Sequence, residues 1–389
     1  MSAGGFPEIP LFDLRLEPQD LEAVAQTLRS GWLTLGPRTQ EFEETFAAHL
    51  GVRHAVAVSS CTAALHLAYL AAGVGPGDEV IVPAFTFAAT AAAVLYAGGT
   101  PVFADIRGLE DPSIDPQDVA RRITPRTKAV ACVHFAGYAA PVQELQALCC
   151  EHGLALIEDV AHAPSATAGG RKLGSFGLAG AFSFFSNKIL SVGEGGLLST
   201  DDDAVAEQAR ALRSHAMTSG TWARHTGATT TYDVTGLGFN YRLDEPRAAL
   251  LSSRFRRLED DIARRRVLTR RYRELLGAVE GVTLPYRDED VDTSSCYVLP
   301  IMVAPEVQGP LRIALREKHG VQTSLFYPSV HEFTAYRERF AGVSLPRAEL
   351  ASRCEVTIPL FPHLTEEQQD HVVRSIDQEL RALRAGVSR

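Results

Sequence analysis

An amine, a carboxylate and a hydroxyl-rich turn fall at three points in this chain where an apolar run gives way to a loop. Leu154 to Ile157 reads as a buried strand and ends in Glu158 and Asp159. This sets carboxylates at the carboxyl end of a strand, where open α/β sheets present ligand sites, although a loop cap is the plainer reading. Further on, Lys188 follows the aromatic-rich run AFSFF and precedes a glycine-dense loop; alone, such a lysine reads as a solvated charge. Earlier, Val58-Ser59-Ser60-Cys61-Thr62 reads as a strand-to-helix turn. Its hydroxyls and free N–H groups suit a phosphate, while a Ser or Thr capping an ordinary helix is the commoner meaning. Phosphate cradle, acid and amine together point to pyridoxal phosphate. A lysine forms a Schiff base with this cofactor, and a carboxylate keeps its pyridine nitrogen protonated so that the ring can act as an electron sink.

The elements that must position these groups are legible as a rhythm. A helix starts near Pro18, with Leu21, Val24, Ala25 and Leu28 on one face, and stops at Gly31. Short apolar runs then alternate with helical patterns: Ala55 to Val58, Val80 to Val82, Pro101 to Phe103, Ala129 to Val133, Ala155 to Ile157 and Ala181 to Phe184. That alternation predicts a mainly parallel sheet covered by helices on both faces. From Leu251 to Leu276 apolar residues recur at helical spacing among nine arginines and four acids, which predicts one long helix leaving the first domain. Its interleaved Glu259, Asp260, Asp261 and Glu274 mark a solvated face rather than a nucleic-acid or membrane surface. Strand-like Tyr297 to Val303 and a last helix from about Glu366 to Leu383 complete a smaller α+β unit. The expected division is therefore 1–250, including an N-terminal segment 1–30, and 251–389.

Composition narrows the function. A chain of 389 residues, 46% apolar and 22% charged, is folded and at ~150 residues per domain holds about two or three domains. With 38 Lys plus Arg against 47 Asp plus Glu, its net charge of −9 repels phosphate backbones, which argues against nucleic acid. The six cysteines include no CxxC and no His pair at zinc spacing, so they read as reduced intracellular thiols and no metal is expected. The opening MSAGGFPEIPLFDLRLEPQD lacks a basic region followed by an apolar one, so export is not expected and the cytoplasm is. Val80 to Ala104 carries no charge over more than the ~20 residues that cross a bilayer. Pro83, Gly98, Gly99 and Pro101 nevertheless divide it into strand (Glu79 to Val82), helix (about Ala88 to Ala97) and strand (Thr100 to Ala104), and no membrane span is expected.

Seven stretches in order carry a resemblance that covers nearly the whole chain: SGWLTLGPRTQEFEETFA (Ser30 to Ala47), SSCTAALHLA (Ser59 to Ala68), GDEVIVPAFTFAATAAAV (Gly77 to Val94), EDVAHAPSA (Glu158 to Ala166), GRKLGSFG (Gly170 to Gly177), FSFFSNKILSVGEGG (Phe182 to Gly196) and GFNYRLDEPRAAL (Gly238 to Leu250). The sequence resembles the DegT/DnrJ/EryC1/StrS family of pyridoxal-phosphate sugar aminotransferases. The resemblance implies fold type I, aspartate aminotransferase-like: an α/β fold whose mainly parallel mixed sheet is sandwiched by helices, with a smaller C-terminal α+β domain. It implies Lys188 as the Schiff-base lysine and Asp159 as partner of the pyridinium nitrogen. Phe87 would stack on the ring, or else fill core; His162 would lie near the ring's phenolic oxygen. Ser183 and the turn Ser60, Cys61, Thr62 would hold the phosphate. Asn240 would reach the phosphate in the neighbouring subunit, which requires a homodimer with shared active sites. Tyr327 and His331 would border the substrate, and His134 would lie near the cofactor or serve the core.

Two positions depart from the family's pattern. Cys61 stands where glycine is usual, and would either narrow the approach to the phosphate or point harmlessly outward; Ser165 stands where glycine usually precedes Ala166. The implied reaction moves an amino group from an amino acid, usually glutamate, to a 3-keto or 4-keto sugar on a nucleoside diphosphate, giving an amino-deoxy sugar for glycan or antibiotic biosynthesis. Keto-cyclitol aminotransferases and sugar dehydratases share the family. The dehydratases carry histidine in place of the lysine, so Lys188 favours transamination. A non-catalytic regulator would need a DNA-reading module, and none is visible. A desulfurase would need a reactive loop cysteine, for which Cys296 is conceivable, although a small buried residue is its simpler reading. Thr218 to Thr235 and Leu325 to Arg337, the least motif-like stretches, are expected to shape the substrate pocket.

Overall fold

A computed structural model describes residues 8–387. Residues 1–7 and 388–389, which the two-domain division and the reading of the chain start include, lie outside the described residues. Nine strands belong to the first part of the chain: β1 (His54–Val58), β2 (Glu79–Pro83), β3 (Thr100–Ala104), β4 (Thr127–Val133), β5 (Ala155–Asp159), the two-residue β6 (Thr167–Ala168) and β7 (Arg171–Lys172), β8 (Ala179–Ser183) and β9 (Gly196–Thr200). Seven of them form one sheet in the order β1-β9-β8-β5-β4-β2-β3. The pairs β2–β3, β2–β4, β4–β5 and β5–β8 are parallel, while β9 runs antiparallel to both β8 and β1. The mixed, mainly parallel sheet and its covering helices are the architecture expected from the alternating runs.

The uncharged stretch resolves as expected, with β2, a helix over Ala88–Tyr96 and β3. Among the described residues no helix is long and apolar enough to cross a membrane. Beneath the sheet's first helices Phe42, Phe46, Phe182 and Phe184 are buried together, with Phe184 edge to face on Phe42 and Phe46, Phe182 edge to face on Phe46, and Phe42 tilted against Phe46, centroids 5.1 to 5.9 Å apart, an arrangement that adds specificity to the area they bury.

The single helix expected from Leu251 is two helices, Glu245–Phe255 and Leu258–Leu276. The first begins earlier, where the Asp244 side chain accepts the Arg247 N–H at 3.0 Å and Pro246 occupies the first turn. The break falls at Arg257 (φ −111°, ψ 8°), whose guanidinium leaves the helix line to meet the buried Asp20 at 3.0 and 2.5 Å. Both helices keep an apolar face toward the core, so hydrophobic spacing runs through the break without a sign of it.

After these helices β10 (Leu299–Met302) and β11 (Glu355–Ile358) pair antiparallel, with helices Pro305–His319, Pro346–Cys354 and Glu366–Val387 around them. The start of the described chain joins this second sheet. Ile9 donates to Gly320 (2.8 Å) and accepts from Gln322 (3.0 Å), and the Phe12 ring stacks near Tyr297, with centroids 6.0 Å apart.

Candidate active site

Parallel pairing brings the carboxyl ends of β5 and β8 to one edge of the sheet, beside the end of β1. There Ser60, Cys61, Thr62, Phe87, Asp159, His162, Ser183, Lys188 and Tyr327 line one hollow of about 440 Å³, together with Phe12 and Phe326. Nearly every residue singled out from the sequence therefore meets here.

The two strand-end carboxylates part company, because adjacent strand residues face opposite sides of a sheet. Glu158 is fully buried and accepts the N–H groups of Gly174 (2.8 Å), Phe176 (2.7 Å) and Gly177 (3.0 Å). It also takes a hydrogen bond from His134, whose Nδ1 accepts the Ala140 N–H at 3.1 Å, so that Nε2 carries the proton. His134 is thus a satisfied core residue that steadies the loop. Asp159 faces the hollow. One oxygen accepts the Thr90 hydroxyl (2.9 Å), and the other the Ala161 N–H (3.1 Å). Among the described residues no cation lies within ion-pairing distance of it. Burial pushes its carboxyl up, against the hydrogen bonds from Thr90 and Ala161 and the nearby charge of Lys188.

Lys188 differs from the chain's other lysines. Lys172 pairs with Glu259 at 3.0 Å, Lys318 with Glu379 at 2.8 Å and Lys128 with Asp78 at 4.0 Å, whereas Lys188 makes no ion pair among the described residues. Its Nζ lies over the Tyr297 ring, 4.5 Å from the centroid. Burial lowers its pKa to about 8, more than the charges of Asp159 and Cys61 raise it. The loop that carries it is pinned by Arg254, a buried guanidinium donating to the carbonyls of Ser191 (2.7 Å) and Ile189 (3.3 Å). Only the neutral amine attacks an aldehyde, and a lowered pKa makes that form available from lower pH. The rate at which pyridoxal phosphate loads onto the apoprotein is therefore expected to rise with pH to a plateau with a midpoint near 8. Stopped-flow absorbance checks this; a midpoint near the ordinary lysine value of 10.5 would contradict it.

His162 sits between Tyr327 and Tyr297. Its Nδ1 accepts the Ala136 N–H (3.3 Å), so Nε2 carries the proton and donates to the Tyr327 hydroxyl at 2.8 Å. Burial pushes the His162 imidazole well below its usual range and the Tyr327 phenol well above, so both are neutral and Tyr327 keeps its own O–H to donate. Phe87 does not fill core: it stands 62% exposed at the start of helix Ala88–Tyr96, on the wall of the hollow.

The turn after β1 serves both readings of its residues. The Ser60 hydroxyl caps helix Cys61–Ala71 by accepting the Ala63 N–H (3.1 Å), and the first N–H groups of this helix, Cys61 and Thr62, have no partner within it. Gly196 lets β9 approach, since a Cβ there would lie 2.3 Å from the Ser60 carbonyl carbon. Cys61 does not point outward: its thiol turns inward, 3.5 Å from the Ala181 carbonyl and 3.9 Å from Asp159. Ser165 has φ 62°, the left-handed conformation that glycine adopts without penalty. Its hydroxyl meets His49 Nε2 at 2.5 Å.

Two residues lie elsewhere. His331 does not line this hollow; it is buried beside Phe103 and pairs with Glu349 at 3.3 Å. Asn240 is exposed and bridges to Ser214, also away from the hollow. Near it Tyr232, Val234 and Leu237 expose apolar surface, Leu237 to 95%. Thr90, Tyr297 and Arg254 escape a reading of the sequence, because each reaches the site through the fold; Thr90 lies within the Gly77 to Val94 stretch, but nothing there singles it out from its neighbours.

The residues present fit pyridoxal phosphate. A buried carboxylate without a counter-cation suits a protonated ring nitrogen, an unpaired amine suits an aldehyde, and unbonded N–H groups at a helix start suit a phosphate. Comparisons with known proteins agree. The sequence profile of the DegT/DnrJ/EryC1/StrS aminotransferase family matches residues 15–377. The chain is 37% identical over 364 residues to the spore coat polysaccharide biosynthesis protein SpsC of Bacillus subtilis (strain 168), covering 92% of this chain and 93% of that one. It is similar to the solved aminotransferase TlmJ of Streptoalloteichus hindustanus, with a TM-score of 0.90 and 35% identity over 97% of this chain and 100% of that one. NtdA of Bacillus subtilis, solved with the cofactor PMP bound, is similar at a TM-score of 0.86 and 27% identity, over 98% of this chain and 87% of that one.

Proposed function

Because the chain belongs to the DegT/DnrJ/EryC1/StrS aminotransferase family, and so is a pyridoxal-phosphate-dependent sugar aminotransferase, we propose that it moves the amino group of L-glutamate to a keto sugar on a nucleoside diphosphate. The product is an amino-deoxy sugar for a glycan or an antibiotic, made in the cytoplasm. The observation that carries this reading is the pairing, in one hollow, of the lysine without an ion pair and the buried acid without a cation. An amino-transfer assay with glutamate against dTDP-, UDP- and GDP-linked keto sugars, read by product mass, tests it. Amination of free keto-cyclitols alone would overturn the nucleotide-sugar assignment.

When bound, pyridoxal phosphate supplies an aldehyde for the amine and a ring that takes up the electron pair left on the donor's α-carbon. Lys188 Nζ removes the α-proton of the donor, which a neutral amine with a pKa near 8 can do and an ordinary ammonium cannot. In the second half of the cycle the same nitrogen delivers a proton to the acceptor carbon that receives the amine. Asp159, held by Thr90 and the Ala161 N–H, would pair with the cofactor's ring nitrogen and favour its protonated form. With the cofactor bound, Tyr327, oriented by the His162 N–H, would offer its own O–H to the ring's oxygen, Phe87 would line the ring, and Ser183 with the Ser60–Thr62 turn would hold the phosphate.

The site is shared between two copies of the chain, with Asn240 completing the neighbour's phosphate cradle. What supports this is the exposed, apolar flank on which Asn240 sits, away from its own hollow. Mixing Lys188→Ala chains with Asn240→Ala chains is then expected to restore activity, since each heterodimer holds one site with both residues intact. Activity no higher than that of either parent would contradict sharing.

A further inference from the structure

A buried acid that takes no part in the reaction stands behind one wall of the hollow. Glu355 opens strand β11, is fully buried, and forms no ion pair among the described residues. Arg312, on helix Pro305–His319, is a cation whose field reaches it, yet the Arg312 Nε is buried without a partner. Taking a carboxylate out of water is costly unless its oxygens are answered. Here they are answered by the Thr357 hydroxyl and, at 2.8 Å, by the Phe326 N–H.

The second of these bonds stands in place of a backbone one. Ser324 and Thr357 face each other across an antiparallel bridge and exchange both hydrogen bonds, the Ser324 N–H donating to the Thr357 carbonyl (3.1 Å) and the Thr357 N–H to the Ser324 carbonyl (2.9 Å). A regular ladder would repeat this two residues on, with the Phe326 N–H donating to the Glu355 carbonyl. That carbonyl instead accepts the Gln308 amide at 3.0 Å, and the Phe326 N–H goes to the Glu355 side chain. The chain therefore leaves β11 at this point. The residues it carries away, Phe326 and Tyr327, line the catalytic hollow. The Phe326 ring packs against His162, Tyr297 and Phe12, with centroids 5.7, 5.8 and 6.2 Å away, and the Tyr327 hydroxyl meets His162 Nε2 at 2.8 Å.

We propose that Glu355 is a positioning residue of the active site: by holding the Phe326 N–H off the ladder, its side chain fixes where Tyr327 presents its O–H. The inference rests on the role given to Tyr327 above and extends it to a residue outside the hollow.

Two substitutions separate the acceptor from the space it fills, since Glu355→Leu keeps the bulk and removes the acceptor, whereas Glu355→Gln keeps an acceptor without the charge. Hydrogen exchange of the apoprotein, read on the peptide that contains Ser324 to Tyr327, is expected to quicken about tenfold in Glu355→Leu and by less than about threefold in Glu355→Gln. In the pyridoxal-phosphate-loaded protein the pH midpoint of the visible band should move in Glu355→Leu in the same direction as in Tyr327→Phe. The kcat of the Glu355→Leu, Tyr327→Phe double variant should lie within about twofold of that of Tyr327→Phe alone, because the second substitution removes the group that the first misplaces. Should Glu355→Leu fail to fold, Glu355→Ala decides by the same readings. Unchanged exchange in Glu355→Leu, or kcat losses that multiply in the double variant, would overturn the proposal. Tyr327→Phe alone reads the premise. If its band and kcat do not move, the role given to Tyr327 falls and the proposal with it, whereas a band that moves there and stays put in Glu355→Leu sinks the proposal alone.

Discussion

The Lys188→Ala protein is expected to lack the Schiff-base absorption band of the wild type after saturation with pyridoxal phosphate and to lose turnover by at least about ten-thousandfold, because one side chain supplies both the covalent tether and the proton carrier. The expected loss is chemical rather than structural. Lys188 forms no ion pair among the described residues, and the loop that carries it is held by Arg254 through the carbonyls of Ser191 and Ile189, which the substitution leaves in place. Thermal unfolding of the apoprotein should accordingly change little, while the stabilisation that bound cofactor confers should shrink with the affinity. Lys188→Arg keeps a cation over Tyr297 but offers no nucleophile near neutral pH, so it should be as inactive as the alanine variant. A wild-type visible band in either protein would remove Lys188 from the chemistry.

The second large effect is expected at Asp159. Asp159→Asn preserves the shape beside Thr90 and Ala161 but removes the charge, and one of its two positions now carries a donor facing groups that donate. Cofactor should still bind, more weakly, while the rate of α-proton removal falls on the order of a hundred- to thousandfold, the range found for a lost preorganised charge partner. Single-turnover bleaching by the amino donor separates this step from binding. The Glu158→Gln control addresses the neighbouring carboxylate, which holds the loop at Gly174 to Gly177 and His134. It should lower stability and leave the ring nitrogen's environment, and hence the visible spectrum, unchanged. Unimpaired proton removal in Asp159→Asn would mean that the buried acid serves the fold and not the reaction.

Much of this site is legible in the amino-acid sequence because its chemistry lies at strand ends, and strand ends are marked locally. Six of the seven strands of the main sheet announce themselves as apolar runs. The seventh, β9, has only Leu197 and Leu198 between Gly196 and Ser199, too short a run to stand out from the glycine-rich loop preceding it. The break between helices Glu245–Phe255 and Leu258–Leu276 is invisible for the opposite reason, since apolar spacing continues through it and its cause, Asp20, lies far away in sequence. The same distance hides Thr90 and Tyr297. Their roles come from contacts distant in sequence, Thr90 on helix Ala88–Tyr96 reaching Asp159 and the Tyr297 ring lying under Lys188, and neither writes a local signal. Cys61 and Ser165 stand out as departures from a pattern, but only backbone geometry says what they mean: an inward thiol at one and a left-handed turn at the other.

The most direct measurement is borohydride reduction of the pyridoxal-phosphate-loaded protein followed by peptide mass analysis. The expected result is one phosphopyridoxyl group per chain, on the peptide that contains Lys188. A label on Lys128, Lys172 or Lys318, or a protein that takes up none, would contradict the account.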